Sequence, residues 1–581
     1  MRSLRDRFRG PQPSMESTPI ADDAVAVWNT VYTLGIGAVG GVDDRGAIFP
    51  DRRQLSVEVW FGVGDRWMSG GSADGVRQRR VSGLPIIETR QRVGESDLVQ
   101  TAWADESGDG QGRINVQLAN ETDDAVIAAI VVRPLTRLGA GSIEKIRCVD
   151  ELIVANGRPL VAIGRVPGDC ATAHDDSREG TAVLDAVSLP TGERANSWET
   201  VDPTGAACLA AMIPLTPGVD RTIQILDGRE EATVAPAPLD AVERGWGSHV
   251  AQAAEIELPS WPNHLFPSLR SSLLAAVDDR RRPVGDSTWS LADDALIVSA
   301  LGALGLGEAG VATTARLLTD VRRGHLQRDR WPDVAAAMAA VVGTVDGDAM
   351  MAHERETVAT VAGYMLSLTN ENDIAPALIA AVAVSNGPAA ASDAAQIHGK
   401  ADDGIARGLL RHGWLGSTPL PSEAKPTSVT AEHVAMEMIA SAHRGEPSEP
   451  LVHLRSKAGS SWRWGRDGCG DSPHVRAQIV LGLASWCRRV RPVGTGGTID
   501  LLPGMRPKWY GQSLSFSRVP AAGARMSCAL RWHGARPALL WEFDGDVPEG
   551  YEVTCRQLDP SFSSTERSGE VLLEAPPGAS S

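Results

Sequence analysis

From about residue 21 to 235 the apolar positions recur with a period of two. Leu55, Val57, Val59 and Phe61 alternate with Ser56, Glu58 and Trp60, and Ile114, Val116 and Leu118 alternate with Asn115 and Gln117. Such alternation predicts strands with one face on a core and the other in water, the habit of an antiparallel sheet. Turn-forming runs punctuate it at Asp43-Asp44-Arg45-Gly46, Ser107-Gly108-Asp109-Gly110 and Asn120-Glu121-Thr122-Asp123-Asp124. Many strands joined by short turns predict a large two-sheet sandwich.

Beyond about residue 263 the spacing becomes helical: Leu265, Leu269, Leu273 and Val277 recur every fourth residue, as do Val334, Met338 and Val342. Helices are predicted at 264–278, 290–305, 308–322, 332–343, 353–368, 373–385, 389–411, 430–442 and 474–489, with a further one near 450–458. Gly305, Gly307 and Gly324 suit positions at or just past helix C-termini, and Pro332 suits a first turn. From residue 492 the period returns to two. Met526, Cys528, Leu530 and Trp532 alternate, and Ala538-Leu539-Leu540-Trp541-Glu542-Phe543 reads as a buried strand.

The expected organisation is a polar tail (1–20), a β-sandwich (21–235), a linker (236–262), an array of helical hairpins (263–491), a small C-terminal β domain (492–575) and a second tail (576–581). The fold class is therefore multidomain α+β.

Charge and composition narrow the function. A net charge of -17 argues against nucleic acid, which demands clustered Lys and Arg. No stretch approaches the roughly 20 apolar residues of a spanning helix, and the basic N-terminus lacks the apolar run of a secretory signal. Seven scattered cysteines without a CxxC pair fit a reducing compartment, as small buried apolar groups. The twelve histidines show no zinc-ligand spacing. The expectation is a cytoplasmic protein without metal or cofactor; its oligomeric state is left open.

A Trp followed closely by carboxylates recurs at predicted helix starts, in Trp289-Ser290-Leu291-Ala292-Asp293-Asp294, Trp331-Pro332-Asp333 and Trp462-Arg463-Trp464-Gly465-Arg466-Asp467. The order sandwich, paired helices, small β domain resembles the six-hairpin glycosidases, glucoamylase-like (α/α)6 toroids with an N-terminal supersandwich. The segment from Leu501 through Leu502-Pro503 to Trp509-Tyr510-Gly511 is similar to the Leu-Pro and Trp-x-Gly stretch after the last toroid helix in that family. Arg531-Trp532-His533-Gly534 through Trp541-Glu542 is similar to its closing strands. These two motifs are structural rather than catalytic. The helical segment, about 230 residues, is short for a twelve-helix toroid, which makes this one trimmed.

In such a toroid the loops at 278–289, 323–331, 369–373 and 459–473 gather at one end. Sugars stack on aromatic rings and donate hydroxyl hydrogen bonds to carboxylates, and 16 Trp against four Tyr and seven Phe make Trp the stacking residue here. The expected substrate-binding rim is Trp289, Asp293, Asp294, Trp331, Asp333, Trp462 and Trp464. Inverting hydrolysis of an oligosaccharide needs a carboxylic acid and a carboxylate base. By the family's topology these are Glu371 and Asp467, a match of position and not of motif. Against this stand bland alternatives: acids such as Asp333 complement helix N-termini anyway, and a Trp between hairpins is commonly a core plug. A catalytically inactive toroid that binds a glycan or a partner protein is the alternative reading. A phosphorylase is another, with His325, Arg328 and Arg330 sharing a loop.

Overall fold

The computed structural model describes residues 28–33, 36–51, 53–64, 66–69, 75–106, 110, 112–136, 139–176, 180–188, 198–226, 235–259, 265–277, 291–328, 331–341, 344–367, 473–493, 496–521, 524–545, 547 and 550–578. The chain divides into two compact units, Met1–Trp246 with Asp279–Ser287, and Gly247–Asp278 with Thr288–Ser581.

The first unit is the expected sandwich. It opens with β1 (Trp28–Thr33), β2 (Gly37–Asp43), β3 (Ile48–Pro50), β4 (Ser56–Val63) and β5 (Arg66–Met68). Next come β6 (Val76–Arg80), β7 (Ile87–Val93), β8 (Ser96–Glu106), β9 (Gly112–Asn120) and β10 (Val126–Arg133), then the short pair β11 (Leu135–Thr136) and β12 (Gly139–Ala140). The last group is β13 (Lys145–Val149), β14 (Leu152–Ala155), β15 (Arg158–Ala162), β16 (Asp169–His174), helix α1 (Thr181–Ser188), β17 (Glu199–Val201), β18 (Ala207–Leu215) and β19 (Arg221–Ile225). One sheet runs β1-β2-β3-β4-β10-β18-β16 with β5 on β4, the other β17-β13-β14-β15-β19-β9-β8-β7-β6.

Between the sheets lie Val57, Val59 and Phe61 of β4, Ile130 and Val132 of β10, and Ile114, Val116 and Leu118 of β9, as the alternation required. The outward face departs from expectation. Trp60 is buried, not in water, and forms a second apolar cluster with Trp67, Ala129, Val131, Ala210 and, from α1, Val183 and Val187. Alternation shows which residues share a face and is silent on what covers it; α1 covers this one. Each large apolar side chain so buried contributes roughly 1.5–3 kcal/mol. Glu58 is accommodated there because its carboxylate accepts from Trp60 Nε1 (2.9 Å) and Arg133 Nη1 (3.0 Å). Arg133 Nε reaches Asp175 Oδ2 at 3.4 Å, and that oxygen accepts the Gly180 amide (3.0 Å), which fixes the start of α1.

On the outward face of the other sheet, Asn115 and Trp103 are buried too. Residues 235–237 lie across this face: Arg113, in a two-bond ion pair with Asp105 (2.6 and 2.9 Å), donates to the Ala235 carbonyl (2.9 Å). The Ala237 amide donates to Asp105 (2.7 Å), and Trp103 Nε1 donates to the Ala237 carbonyl (3.2 Å).

The expected linker turns helical from Leu239, as its Leu239–Arg244 run reads in the sequence, and also forms a strand that was not expected. It holds helix α2 (Leu239–Val250) and β20 (Glu255–Glu257), and β20 pairs with β23 (Leu514–Ala521) of the C-terminal region. The second unit thus contains a sheet assembled from both ends of its sequence: β20, β23, β24 (Ala524–His533), β25 (Arg536–Asp544) and β28 (Ser568–Leu572), in that order. A four-stranded sheet joins β21 (Arg488–Val493), β22 (Gly496–Leu501), β26 (Tyr551–Cys555) and β27 (Asp559–Ser564), with β22 and β26 parallel. Strand β21 starts directly after the last helix, a few residues before the expected boundary at 492.

The helices described are α3 (Leu265–Val277), α4 (Leu291–Ala303), α5 (Val311–Arg322), α6 (Trp331–Val341), α7 (Val345–His353), α8 (Arg355–Ser367) and α9 (Pro473–Cys487). Of these, α7 was not expected. The helices predicted at 373–385, 389–411, 430–442 and 450–458 lie outside the described residues. Two glycines close helices as read: the amides of Gly305 and Leu306 return to Gly302 and Leu301 carbonyls, and those of Gly324 and His325 to Val321 and Asp320. Both are Schellman closures with glycine at positive φ, 74° and 70°. Gly307 instead opens a 3-10 turn, Gly307–Gly310.

The sandwich carries one buried polar network between its sheets. Asn29 Nδ2 donates to Gln78 Oε1 (2.8 Å), and Gln78 Nε2 donates to the Asp43 carbonyl (2.7 Å) and Thr89 Oγ1 (2.9 Å). Burial pushes the Asp43 carboxyl up from 3.8 to about 7, against the amides of Ala47 and Arg45 that favour its charged form. The unfolded chain releases this proton near pH 4, whereas the folded chain keeps it to about pH 7. Stability from this site is therefore highest below pH 4, falls as pH rises towards 7 and is level above. Asp43→Asn keeps an oxygen for both amides and should flatten that slope, stabilising the sandwich at pH 8 by on the order of 4 kcal/mol. Urea unfolding at pH 4, 6 and 8 checks this; parallel curves for the two proteins would refute it.

Candidate functional site

The rim expected from the sequence rests on the starts of α4 and α6. These helices cross closely: a Cβ on Gly302 would come within 2.7 Å of Ala340 Cβ and 2.8 Å of its Cα. Ala295 and Val298 of α4, Leu317 and Leu318 of α5, Val334 and Met338 of α6 and Val358 of α8 fill one apolar cluster.

Trp331, the first residue of α6, belongs to that cluster and is 8% exposed. Tyr364 of α8 meets its ring edge-on, with centroids 5.0 Å apart at 75°, and the Arg328 guanidinium lies 5.7 Å from the ring centre. Its Nε1 is buried without a hydrogen-bond partner among the described residues. This is the geometry of a packing plug, with little ring surface open to a sugar.

Asp294 is likewise engaged. It is buried, and its Oδ2 accepts from Arg316 Nη2 at 2.8 Å, tying α4 to α5. A second pair that sequence reasoning missed ties α5 to the start of α8. Arg322 Nη1 donates to both oxygens of buried Glu354 (2.9 Å each), and Thr357 adds a bond to Glu354 Oε2 (3.3 Å). Asp293 and Asp333 are each the third residue of their helix, where an acid complements the helix dipole. Trp289, Trp462, Trp464, Glu371 and Asp467 lie outside the described residues.

Of the loop considered for phosphate, His325 Nδ1 stands 3.5 Å from Asp320 Oδ1, Arg328 stacks on Trp331 as above, and Arg330 lies outside the described residues. Among the described residues there is no group of three or more His, Cys, Asp or Glu placed to hold a metal ion, and no helix long and apolar enough to cross a membrane.

The segment that carries the family resemblance is built into the second unit's core. Trp509 meets fully buried Trp486 of α9 edge-on (5.3 Å, 78°), and the Arg506 guanidinium lies 5.6 Å from the Trp509 ring centre. Trp486 Nε1 donates to the Gly504 carbonyl at 2.7 Å, and no side chain fits at Gly504 against that indole.

One polar array on the sandwich had no sequence signal, because its members are far apart along the chain. His174 Nδ1 is 2.9 Å from Asp202 Oδ2, and Thr200 Oγ1 is 3.4 Å from His174 Nε2. Hydrogen bonds from the Thr204 hydroxyl and then from His174 hold the Asp202 carboxyl down to about 2. The hydroxyl contact exceeds the roughly 2.6–3.2 Å of a working nucleophile–base pair. The array serves to join β16 to β17.

No protein-family model matches the chain, and no curated protein matches it in sequence. Among solved structures, it is similar over 79% of its length to 82% of a polysaccharide lyase, at 8% identity and a TM-score of 0.18. It is similar over 95% of its length to 96% of a human-microbiome protein proposed to be a kojibiose phosphorylase, at 6% identity and a TM-score of 0.32. Neither likeness is close enough to bear on the activity.

Two outcomes test the packing role of Trp331. Trp331→Ala should cost about 3–5 kcal/mol of stability. Trp331→Phe keeps an aromatic edge for Tyr364 and removes an unpaired N–H, so it should cost less than about 1.5 kcal/mol. Chemical unfolding of both variants decides it, and equal losses would mean that the indole nitrogen has a partner. For the ion pair, Asp294→Asn and Arg316→Met should each destabilise by about 1–2 kcal/mol. In a double-mutant cycle the two losses should be less than additive.

Proposed function

We propose that this chain is a carbohydrate-active protein, an inverting glycoside hydrolase acting on an oligosaccharide, with Glu371 as general acid and Asp467 as general base. The observation that carries the reading is architectural. Among the described residues a two-sheet antiparallel sandwich, a run of helices and closing β-sheets follow one another along the chain, which supports the order of the family that the Leu501–Gly511 segment resembles. The placement of both carboxylates rests on that resemblance.

In this reaction the acid donates its proton to the glycosidic oxygen as the bond to the anomeric carbon breaks. The base takes a proton from the water that attacks the opposite face. Room for that water sets the two carboxyl groups roughly 6.5–9.5 Å apart. The sugar would stack on Trp289, Trp462 and Trp464, with Asp293 and Asp333 beside them.

A second reading, a catalytically inactive protein that binds a glycan or a partner protein, draws support from Trp331 and Asp294. Two of the expected rim residues are committed to packing and an ion pair.

Purified protein should release sugar from some member of a panel of α- and β-linked oligosaccharides. Glu371→Gln and Asp467→Asn should each lower that rate by at least about 100-fold, the scale of a lost general acid or base, while the thermal midpoint stays unchanged. An unaltered rate in either variant removes that residue from the mechanism. No release from any substrate, with retained binding, favours the second reading; release that requires added orthophosphate identifies a phosphorylase.

A further inference from the structure

We propose that Asn156 modifies itself in the folded chain. Its side-chain amide is expelled as ammonia through a cyclic imide formed with Gly157, and water reopens that ring to aspartate. Asn156-Gly157 is the two-residue turn between β14 and β15, closed by the Ala155–Arg158 pair. Both residues have positive φ, 50° and 75°, which makes the turn type I′, one of the two that suit a hairpin. Both are exposed, and the space around the Gly157 Cα is open. The Gly157 amide donates to no acceptor among the described residues, so its nitrogen is available to react.

The Asn156 side chain is held as that reaction requires. Its Oδ1 accepts from the Glu144 amide (2.9 Å) and the Lys145 amide (3.1 Å), and its Nδ2 donates to the Ser142 carbonyl at 3.4 Å. The Asn156 backbone amide donates in turn to the Lys145 carbonyl (2.8 Å). Two backbone N–H groups at roughly 2.7–3.1 Å from one carbonyl oxygen form an oxyanion hole for charge that develops there. They also make Cγ the more electrophilic of the two carbonyl carbons that the imide presents to water. The clamp stands on a fixed segment. Ser142 donates its amide to the Gln54 carbonyl (3.0 Å), and Ile143 bridges Ala206.

For the ring to close, the Gly157 nitrogen must swing towards Cγ. A flip of the single peptide plane between the two residues does this, turning type I′ into type II′, the other turn that suits a hairpin. Asn156 keeps its positive φ, its ψ goes to about −120°, and the strands on either side stay paired. Glycine tolerates both settings of its own φ. The Gly157 nitrogen then bonds to Cγ and gives up its proton, and the charge falls on Oδ1, between its two amides. The Cγ–Nδ2 bond breaks, and the proton leaves with Nδ2 as ammonia. Water next adds at Cγ, the bond from Cγ to the Gly157 nitrogen breaks, and that nitrogen regains a proton. One water is consumed and one ammonia released. Attack at Cγ restores the normal backbone, whereas attack at the α carbonyl leaves an isoaspartate, with the chain running through the side-chain carbon. The aspartate keeps both amide bonds at its carboxylate, so the turn stays tied to residues 142–145 and gains a negative charge.

The natural chain is held folded at mildly alkaline pH, sampled over several days and digested at acid pH. Its peptides are mapped by mass spectrometry with fragmentation that separates aspartate from isoaspartate. A second sample is held unfolded in guanidinium chloride at the same pH. The expected result in the folded chain is replacement of the Asn156 NH2 by OH, with aspartate the major product. In the unfolded chain, where no amide favours Cγ, isoaspartate should predominate. Retention of the Asn156 amide in the folded chain, an excess of isoaspartate there, or the same product ratio in both samples would each overturn the proposal. Glu144→Pro removes one of the two amides and should lower the share of aspartate; an unchanged share would overturn it as well. The natural chain, folded against unfolded, decides even where that variant fails to fold.

Discussion

The sandwich depends on the burial of both faces of its central strands β4, β10 and β18. Their inward residues meet the second sheet, and their outward residues, Trp60, Val131 and Ala210 among them, need a cover of their own. Helix α1 is that cover, and the Glu58–Arg133–Asp175 cluster follows from it. A carboxylate on a face that has lost its water must find donors, and Arg133 with the Trp60 indole supplies them. Asp175 passes the restraint on to the residue before α1. Polar groups on this face therefore determine where its apolar cover begins.

The helical part of the second unit solves a different packing problem. Helices α4 and α6 approach until only glycine fits at position 302, and Trp331 joins their apolar cluster with Tyr364 packed edge-on against it. An indole there excludes water over a wide area at the cost of one buried N–H. Against the several kcal/mol that a fully packed Trp supplies, an unmade hydrogen bond of about 1–3 kcal/mol is the smaller effect.

Much of the architecture was legible in the sequence, and the reasons are local. Period-two alternation marked β4, β9 and β24 because it records a face, and Gly305 and Gly324 marked helix ends because a Schellman closure needs positive φ from one residue. What depended on distant partners was not legible. The eight residues of α1 are too few for periodicity to stand out, and β20 owes its strand to pairing with β23 more than 250 residues later. Asn115 read as a solvent-facing position by the same alternation that read Val116 correctly, because nothing in the strand records what lies over its outer face. The candidate site suffered from a deeper ambiguity. A Trp and an Asp at a helix start serve a sugar or a hairpin contact equally well, and only the third dimension separates the two, as it does for Trp331 and Asp294.

That separation bears on where acid chemistry can reside. A general acid must present an oxygen and its proton to the leaving group, so both oxygens of a carboxyl cannot be committed elsewhere. Among the described helices, Glu354 has both oxygens on Arg322, and one of them also accepts from Thr357. Asp294 is bound to Arg316. These acids hold helices together, and pulling either from its guanidinium would loosen that tie, a loss of about 1–2 kcal/mol. Evolving a proton donor from such a pair would dismantle the packing that positions it. A proton donor is therefore better sought outside these ion pairs, and the proposed acid and base, Glu371 and Asp467, are drawn from the family resemblance and not from this set of helix-tying acids.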